Sequence, residues 1–477
     1  MSHQRFARWV RTSALVATLL AALAACATPR LLPAPSSAGG SLNATADRLI
    51  LVTIDNPSGP MLSEPGSSPR GYDAVGPYAV SSQTRTIGAA LGRDYGLQEV
   101  REWPIVPLGV QCLVFALPPQ ADRAELLQRL AGDRRVRLAQ PMQLFQALSD
   151  QGAATAAAAG EPPVGAQRPG LSTPTTFGAP GGSLALKSYN DPYIGLQHGF
   201  AAIQAAEAQQ WSRGEGVSVA IIDTGVDVDH PDLAGRVAAT RNFVDADMHA
   251  FESDRHGTGV AGVIAADANN NLGIVGIAPS ARLQIYKACQ SLQSLSLEAQ
   301  CNSFTLALAL GAAIEAHAQI VNLSLGGPAD PLLAQLVVFG QRRGMIFVGA
   351  VPDDGRLDGF PLAIPGVIAV DQVGRSDSST AVLHAPGADI LSLAPAGRYD
   401  FATGSSFAAA HVTGAIALLR ARVPTLDATS LFSVLERTGT HDEHGERINI
   451  CAALAAVRPQ DDCMHASSAV ATATLMQ

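Results

Sequence analysis

The sequence predicts an α/β fold with a mostly parallel sheet flanked by helices, preceded by a small βαββαβ domain. Three observations carry this. From about residue 191, strand-like and helix-like runs alternate, as they do where helices pack on a parallel sheet. The strand-like runs, VSVAIID among them, are continuously apolar and β-branched, as expected of strands covered on both faces. Residues 48–148 carry a separate order of strand and helix signals, and a breaker-rich stretch follows them.

In the first domain, RLILVTI reads as a strand and SQTRTIGAALGRDYG as a helix. LQEVREWPIV and QCLVFALP form a strand pair. ADRAELLQRLAGD is an amphipathic helix with Leu126, Leu127 and Leu130 on one face, and VRLAQPMQLFQAL closes the domain as one strand. Residues 149–190 hold many breakers and little to pack, so they read as a flexible, protease-accessible linker. In the second domain, residues 191–455, VSVAIID, ARLQIYKA, QIVNLSLGG, MIFVGAV and VIAVDQVG are core strands. GTGVAGVIAA and TLALALGAAIEAHA are helices. Ligands bind such sheets at the carboxyl ends of the strands. No internal repeat interrupts this order, and residues 456–477 read as a tail.

The chain has 477 residues, 47% of them hydrophobic and 15% charged, which allows a large core. A formal net charge of −9 and no concentrated basic stripe exclude nucleic acid as the main partner. Residues 1–25 read as a signal peptide: Arg5, Arg8 and Arg11 precede the short apolar run SALVATLLAAL. The run ends LAAC, which resembles a bacterial lipobox with Cys26 as the lipidated residue; ordinary signal cleavage is the other reading. Residues 26–47, rich in Pro, Ser, Gly and Ala, form a tether. The expected address is export: lipid-anchored in the cell envelope, at the outer membrane or periplasm if the host has two membranes, or secreted. A monomer is expected. In an oxidising compartment the simplest cysteine pairing is Cys289 with Cys301 and Cys451 with Cys463, although four cysteines allow three connectivities. Cys112, in VQCLVFAL, reads as a buried thiol, and no cysteine pair has zinc-site spacing.

Three segments place a polar residue in small, apolar surroundings. In TGSSFAAAHVTGAIALL, Ser405 and Ser406 open an apolar helix, either as caps or where a helix N-terminus can stabilise an oxyanion. In AIIDTGVDVDHPDL, Asp223 follows a buried strand, either as a turn cap or as an orienter of a base. In DRHGTGVAG, His256 precedes glycines that admit close backbone approach. His230, His317 and His411 read more easily as turn or packing residues. An aspartate, a histidine and a serine in one α/β domain, in that order, could form orienter, base and nucleophile.

Taken together, AIIDTGVDVDHPDL, HGTGVAGVIAA and TGSSFAAAHVTG resemble the aspartate, histidine and serine motifs of the subtilisin-like serine peptidases, the subtilase family, over about residues 191–455. NLSLGGP, APGADILS and NNNLGIVGIAP follow in the expected order. The resemblance implies a subtilisin-like fold and an endopeptidase acting through Asp223, His256 and Ser406. It implies a peptide or protein substrate, with an extended strand held beside Ser324, Leu325 and Gly326. It also implies that residues 48–148 are a self-cleaved propeptide acting as the enzyme's own partner; a permanent accessory domain is the alternative.

Departures from the family accompany the matches. Asp353 aligns with the asparagine that usually completes the oxyanion hole beside the Ser406 backbone. An ionised aspartate donates no hydrogen bond, whereas one kept neutral by burial could. Arg255, Gly259 and Ala410 replace a usual glycine, histidine and proline. The loop ADANNNLGIVG resembles one that in some members binds calcium, with Asp232 where a carboxylate ligand would sit. A structural calcium is one expectation and a metal-free loop the other; the chemistry requires no cofactor and no metal. The rival function is a weak or inactive relative that binds peptides. An α/β-hydrolase esterase does not fit the motif order.

Overall fold

The structure, a computed structural model, describes residues 42–56, 80–148, 188–375, 381–443 and 445–460. The N-terminal unit is built from β1 (Leu49–Asp55), α1 (Ser82–Tyr95), β2 (Gln98–Ile105), β3 (Val110–Ala116), α2 (Arg123–Ala131) and β4 (Leu138–Pro141). Its antiparallel sheet has the order β2-β3-β1-β4. Alternation along β1 explains why RLILVTI is apolar at nearly every position. Ile50, Val52 and Ile54 pack with Leu91, Leu126 and Leu130 of the two helices. Leu49 and Leu51 face the other way, with Trp103, Cys112 and Val114, onto the second unit.

The expected closing strand divides. After Pro141, which cannot donate to a ladder, Met142 and Gln143 turn the chain into β5 (Leu144–Ala147). β5 leaves the N-terminal sheet and lies between two strands of the other unit.

That unit is arranged around seven strands: β6 (Ser218–Asp223), β7 (Val237–Asn242), β8 (Arg282–Lys287), β11 (Ile320–Leu323), β13 (Ile346–Ala350), β14 (Ile368–Gln372) and β15 (Val382–Ala385). Their order is β15-β14-β13-β11-β6-β8-β7, and every neighbouring pair is parallel. The chain winds outward in opposite directions from β6 and β11, so a cleft opens at their carboxyl ends. Flanking helices are α3 (Arg255–Ala265), α4 (Ser303–Glu315), α5 (Pro331–Arg342), α6 (Ser405–Arg422), α7 (Ala428–Arg437) and α8 (Ile450–Val457). Ser405 to Leu419 of α6 are all buried, the pattern of a helix enclosed on every side.

A second, four-stranded sheet joins the units, in the order β12-β5-β10-β9. It contains β9 (Cys289–Ser291), β10 (Ala299–Asn302) and β12 (Leu325–Gly326). A disulfide between Cys289 and Cys301 ties β9 to β10 and closes a loop with a sequence separation of 12. In the chain-entropy account, closing such a loop is worth about 3 kcal/mol. Cys451 is also disulfide-bonded, and Cys463 lies outside the described residues, as does Cys26. Cys112 is a buried free thiol. A hairpin, β16 (Ile390–Ala394) with β17 (Arg398–Ala402), leads into α6. Among the described residues no helix is long and apolar enough to cross a membrane.

Polar contacts register the two units. Gln140 Nε2 donates to Asp330 Oδ2 at 2.8 Å, and Gln140 Oε1 accepts from Leu332 N at 3.0 Å. Asp330 caps α5 through Leu333 N, and Ser303 Oγ donates to it at 2.6 Å. Gln143 N in turn donates to Ser303 Oγ at 2.9 Å. The N-terminal unit thus seats on the starts of α4 and α5. Trp103 meets Phe304 edge-on, with ring centroids 4.6 Å apart.

Candidate active site

Asp223 ends β6, His256 lies in the first turn of α3, and Ser406 lies in the first turn of α6. The aspartate and histidine segments approach at two glycines. A Cβ on Gly225 would lie 2.1 Å from the Phe251 carbonyl, and one on Gly257 would lie 2.5 Å from the Gly225 carbonyl. This closeness brings His256 Nδ1 to 2.7 Å from Asp223 Oδ1, with both side chains buried. Asp223 Oδ1 also accepts from Thr224 N at 2.6 Å. Asp223 Oδ2 and His256 Nε2 are buried without hydrogen-bond partners. The imidazole therefore has one nitrogen committed to the carboxylate and one uncommitted. Its ring lies beside Phe407, the residue after Ser406, with centroids 6.1 Å apart.

Ser406 is fully buried. Its Oγ donates to the main-chain carbonyl of Leu148 and lies 3.2 Å from the Ser324 carbonyl. Ser405 instead ties α6 to the strand end before Asp353, donating from Oγ to the Val351 carbonyl at 2.7 Å. Of the two serines that open α6, one is an anchor and the other faces the cleft. Thr413 Oγ1 donates to Asn322 Oδ1, Asn322 Nδ2 to Ser324 Oγ, and Ser324 Oγ to the Ser406 carbonyl, at 2.9, 2.8 and 3.3 Å. This chain of bonds fixes the start of α6 against the end of β11.

The cleft is filled by β5. Ala147 and Gln146 pair antiparallel with Leu325 and Gly326; Gln146, Phe145 and Leu144 pair with Gln300, Cys301 and Asn302 on the other side. Leu148 N donates to the Ser324 carbonyl at 3.1 Å. An added Cβ on Gly326 would lie 3.1 Å from Pro352 Cγ and 3.4 Å from Leu148 Cδ1, so the half-buried leucine side chain lies close over Gly326. The Phe145 ring is fully buried against Phe360, centroids 5.5 Å apart, where Gly327 leaves room for it. β10, Leu148 and Phe145 were not singled out from the sequence. The alternating QLFQAL carries a strand signal, but its partners lie 154 (300 − 146) to 180 (326 − 146) residues further on.

Asp353 has an exposed side chain (61% accessible) and pairs with Arg375 Nη2 at 2.8 Å. Burial does not hold it neutral, so that route to a donating carboxylic acid has no support in its surroundings. Arg255 likewise turns outward, to Asp400 at 2.8 Å and to the Phe401 carbonyl. His230 supports the turn at Pro231–Leu233, accepting from Asp232 N. His317 sits in a turn with φ of 52°. His411 is buried in α6, its Nδ1 2.8 Å from the Phe407 carbonyl.

Asp232 is fully buried. Its two carboxylate oxygens accept from Asn270 Nδ2 at 2.7 Å and Ile274 N at 3.0 Å. Both partners are N–H donors. Among the described residues, no group of three or more His, Cys, Asp and Glu could hold a metal ion.

Residues 214–451 match the Subtilase family model, a span holding Asp223, His256 and Ser406. The chain is 39% identical over 244 residues to an intracellular serine protease of Paenibacillus polymyxa, covering 47% of this chain and 73% of the relative. It is 33% identical over 260 residues to thermitase of Thermoactinomyces vulgaris, covering 52% and 90%. Among solved structures it is similar in fold to fervidolysin from Fervidobacterium pennivorans, a keratinolytic enzyme related to subtilisin. That similarity has a TM-score of 0.59 at 21% identity and covers 85% of this chain and 60% of that one. The chain belongs to the subtilase family of serine peptidases.

Proposed function

We propose that this protein is an exported serine endopeptidase, lipid-anchored through Cys26, that matures by cutting its own Leu148–Ser149 bond. The observation that carries this reading is the contact of Ser406 Oγ with the Leu148 carbonyl, at the end of a strand held in the cleft as an antiparallel peptide. Such pairing gives main-chain affinity, and side-chain pockets give selection. The N-terminal unit is then the first substrate and afterwards an occupant that blocks the cleft. The export signal and the LAAC run support the anchor.

In the structure Ser406 Oγ bonds to main-chain carbonyls and not to His256 Nε2, so the chemistry of this reading begins with a rotation of the hydroxyl. His256 Nδ1–H donates to Asp223, so Nε2 is the free base. Ser406 Oγ–H turns from the Leu148 carbonyl to Nε2, and the oxygen attacks the carbonyl carbon as its proton passes to the imidazole. Asp223 stabilises the resulting imidazolium. The tetrahedral oxyanion is held by the Ser406 main-chain N–H at the start of the 18-residue helix α6, whose dipole favours negative charge there. Breaking the C–N bond transfers the imidazolium proton to the Ser149 amine. Water then releases Leu148 from the acyl-enzyme, with His256 again acting as base.

A fluorophosphonate probe tests the nucleophile. Labelling at Ser406 in the wild type and none in Ser406→Ala or His256→Ala is expected. An unlabelled wild type at every pH from about 5 to 9 would replace this reading with that of a peptide-binding relative.

A further inference from the structure

We propose that Asp254, paired with Lys287, is a positioning residue that bolts the Asp223 turn to the His256 helix and sets the local charge felt by the imidazole. The proposal rests on the reading of Asp223, His256 and Ser406 as the reacting triad. Asp254 is the N-cap residue of α3, yet its side chain makes no cap bond to its own helix. A capping aspartate normally accepts from the second or third helical N–H. Here Oδ2 reaches across to Gly225 N at 2.8 Å and to Lys287 Nζ, while Oδ1 accepts from Ser291 Oγ at 2.5 Å.

The placement is specific. Gly225 lies two residues after Asp223, and Asp254 lies two residues before His256. One carboxylate therefore joins the two segments whose side chains meet at 2.7 Å. Thr224 Oγ1 adds a parallel link from Gly257 N, and Thr258 Oγ1 another between the Asp254 carbonyl and Asp227 N. Ser291 extends the unit into β9, which the disulfide ties to β10, the strand that holds β5.

Both charges are almost fully buried, at 4% and 2% accessibility. Burying an ion pair carries a desolvation penalty that seldom favours stability, so its retention beside the triad calls for a specific role. The charged and titratable groups around α3 are few. β6 brings Asp223 and β8 brings Lys287. Arg255 is bound to Asp400 of β17. Asp227 accepts from Ala396 N, and His230 and Asp232 belong to the turn packed against α3, where the Asp232 carbonyl accepts from Asp267 N. β16 and α6 bring Leu393, Ser392 and Phe407, none of which is charged, and His411 of α6, which lines a cavity with Val263 of α3 and whose Nδ1 is engaged by the Phe407 carbonyl. Asp254 and Lys287 thus form a buried ion pair that reaches the turn after Asp223 directly, through Gly225 N.

The test uses the processed protein, with active sites counted by fluorophosphonate. Asp254→Asn leaves the Lys287 cation alone and disfavours the imidazolium. The acidic limb of kcat/KM is expected to move down by about half a pH unit or more, with kcat lowered at least tenfold and KM within about twofold. Lys287→Met leaves the anion alone, and the limb is expected to move up by a similar amount. The double variant, which folds without a lone buried charge, returns the limb to its native position with kcat still reduced at least threefold. Limbs that stay in place in both single variants, or a double variant with native kcat, would overturn the proposal. If the native protein takes no label, the triad reading itself fails and the proposal with it.

Discussion

Ser406 Oγ donates a hydrogen bond to the main-chain carbonyl of Leu148, although 258 residues separate them in the chain. The contact places a carbonyl of the N-terminal unit against the hydroxyl that would attack it. The strand before it is held on both edges, by β12 and by β10.

The Asp353–Arg375 pair leads to a prediction about rate. Asp353 is exposed and paired with Arg375, and a carboxylate in such a pair accepts hydrogen bonds and donates none. Asp353→Asn restores a side chain that can donate, and kcat is expected to rise about tenfold or more at neutral pH. Stopped-flow or steady-state kinetics on a peptide substrate checks this. A fall in kcat would mean that the carboxylate itself assists the reaction.

Phe145 anchors β5. Its ring is fully buried against Phe360, and truncating a buried phenylalanine costs about 3–5 kcal/mol. In a Ser406→Ala background, which removes the proposed nucleophile, Phe145→Ala is expected to lower the unfolding free energy by an amount near the lower end of that range. Urea titration measures it. A change below about 0.5 kcal/mol would mean that the cleft does not depend on this ring.

His411 makes stability depend on pH. Burial holds its imidazole down to about 4, outweighing the carbonyl partners that pull it up. The folded value lies below the unfolded one, so as pH falls from about 6.5 to 4 the unfolded chain takes up a proton that the folded chain refuses. Stability is lost in that window, by about 3 kcal/mol for this group. In the Ser406→Ala background, His411→Gln is expected to flatten the pH slope of urea-unfolding free energy between pH 6.5 and 4. Equal slopes in the two proteins would contradict the assignment.

Much of the fold could be read locally. The continuous apolar runs of β6, β11 and β13 are covered on both faces, and the Asp223, His256 and Ser406 motifs are short stretches whose residues determine their own turn or helix start. The single strand expected over VRLAQPMQLFQAL was not legible as two. Its division depends on which edges receive each half: Leu138–Pro141 pairs within the N-terminal sheet, and Leu144–Ala147 pairs with β10 and β12. The same reason hid the Asp254–Lys287 pair. Each residue looks like an ordinary surface charge until strand β8 brings Lys287 beneath the turn that follows β6. Asp353 was legible as a departure, but its exposure and its pairing with Arg375 were not, because the partner comes from the end of another strand.

The most direct measurement is the intact mass of the N-terminal fragment from cells expressing the wild type and Ser406→Ala. A fragment ending at Leu148 in the wild type, absent from Ser406→Ala, is the result this account expects. An uncut wild type, or the same fragment in Ser406→Ala, would contradict it.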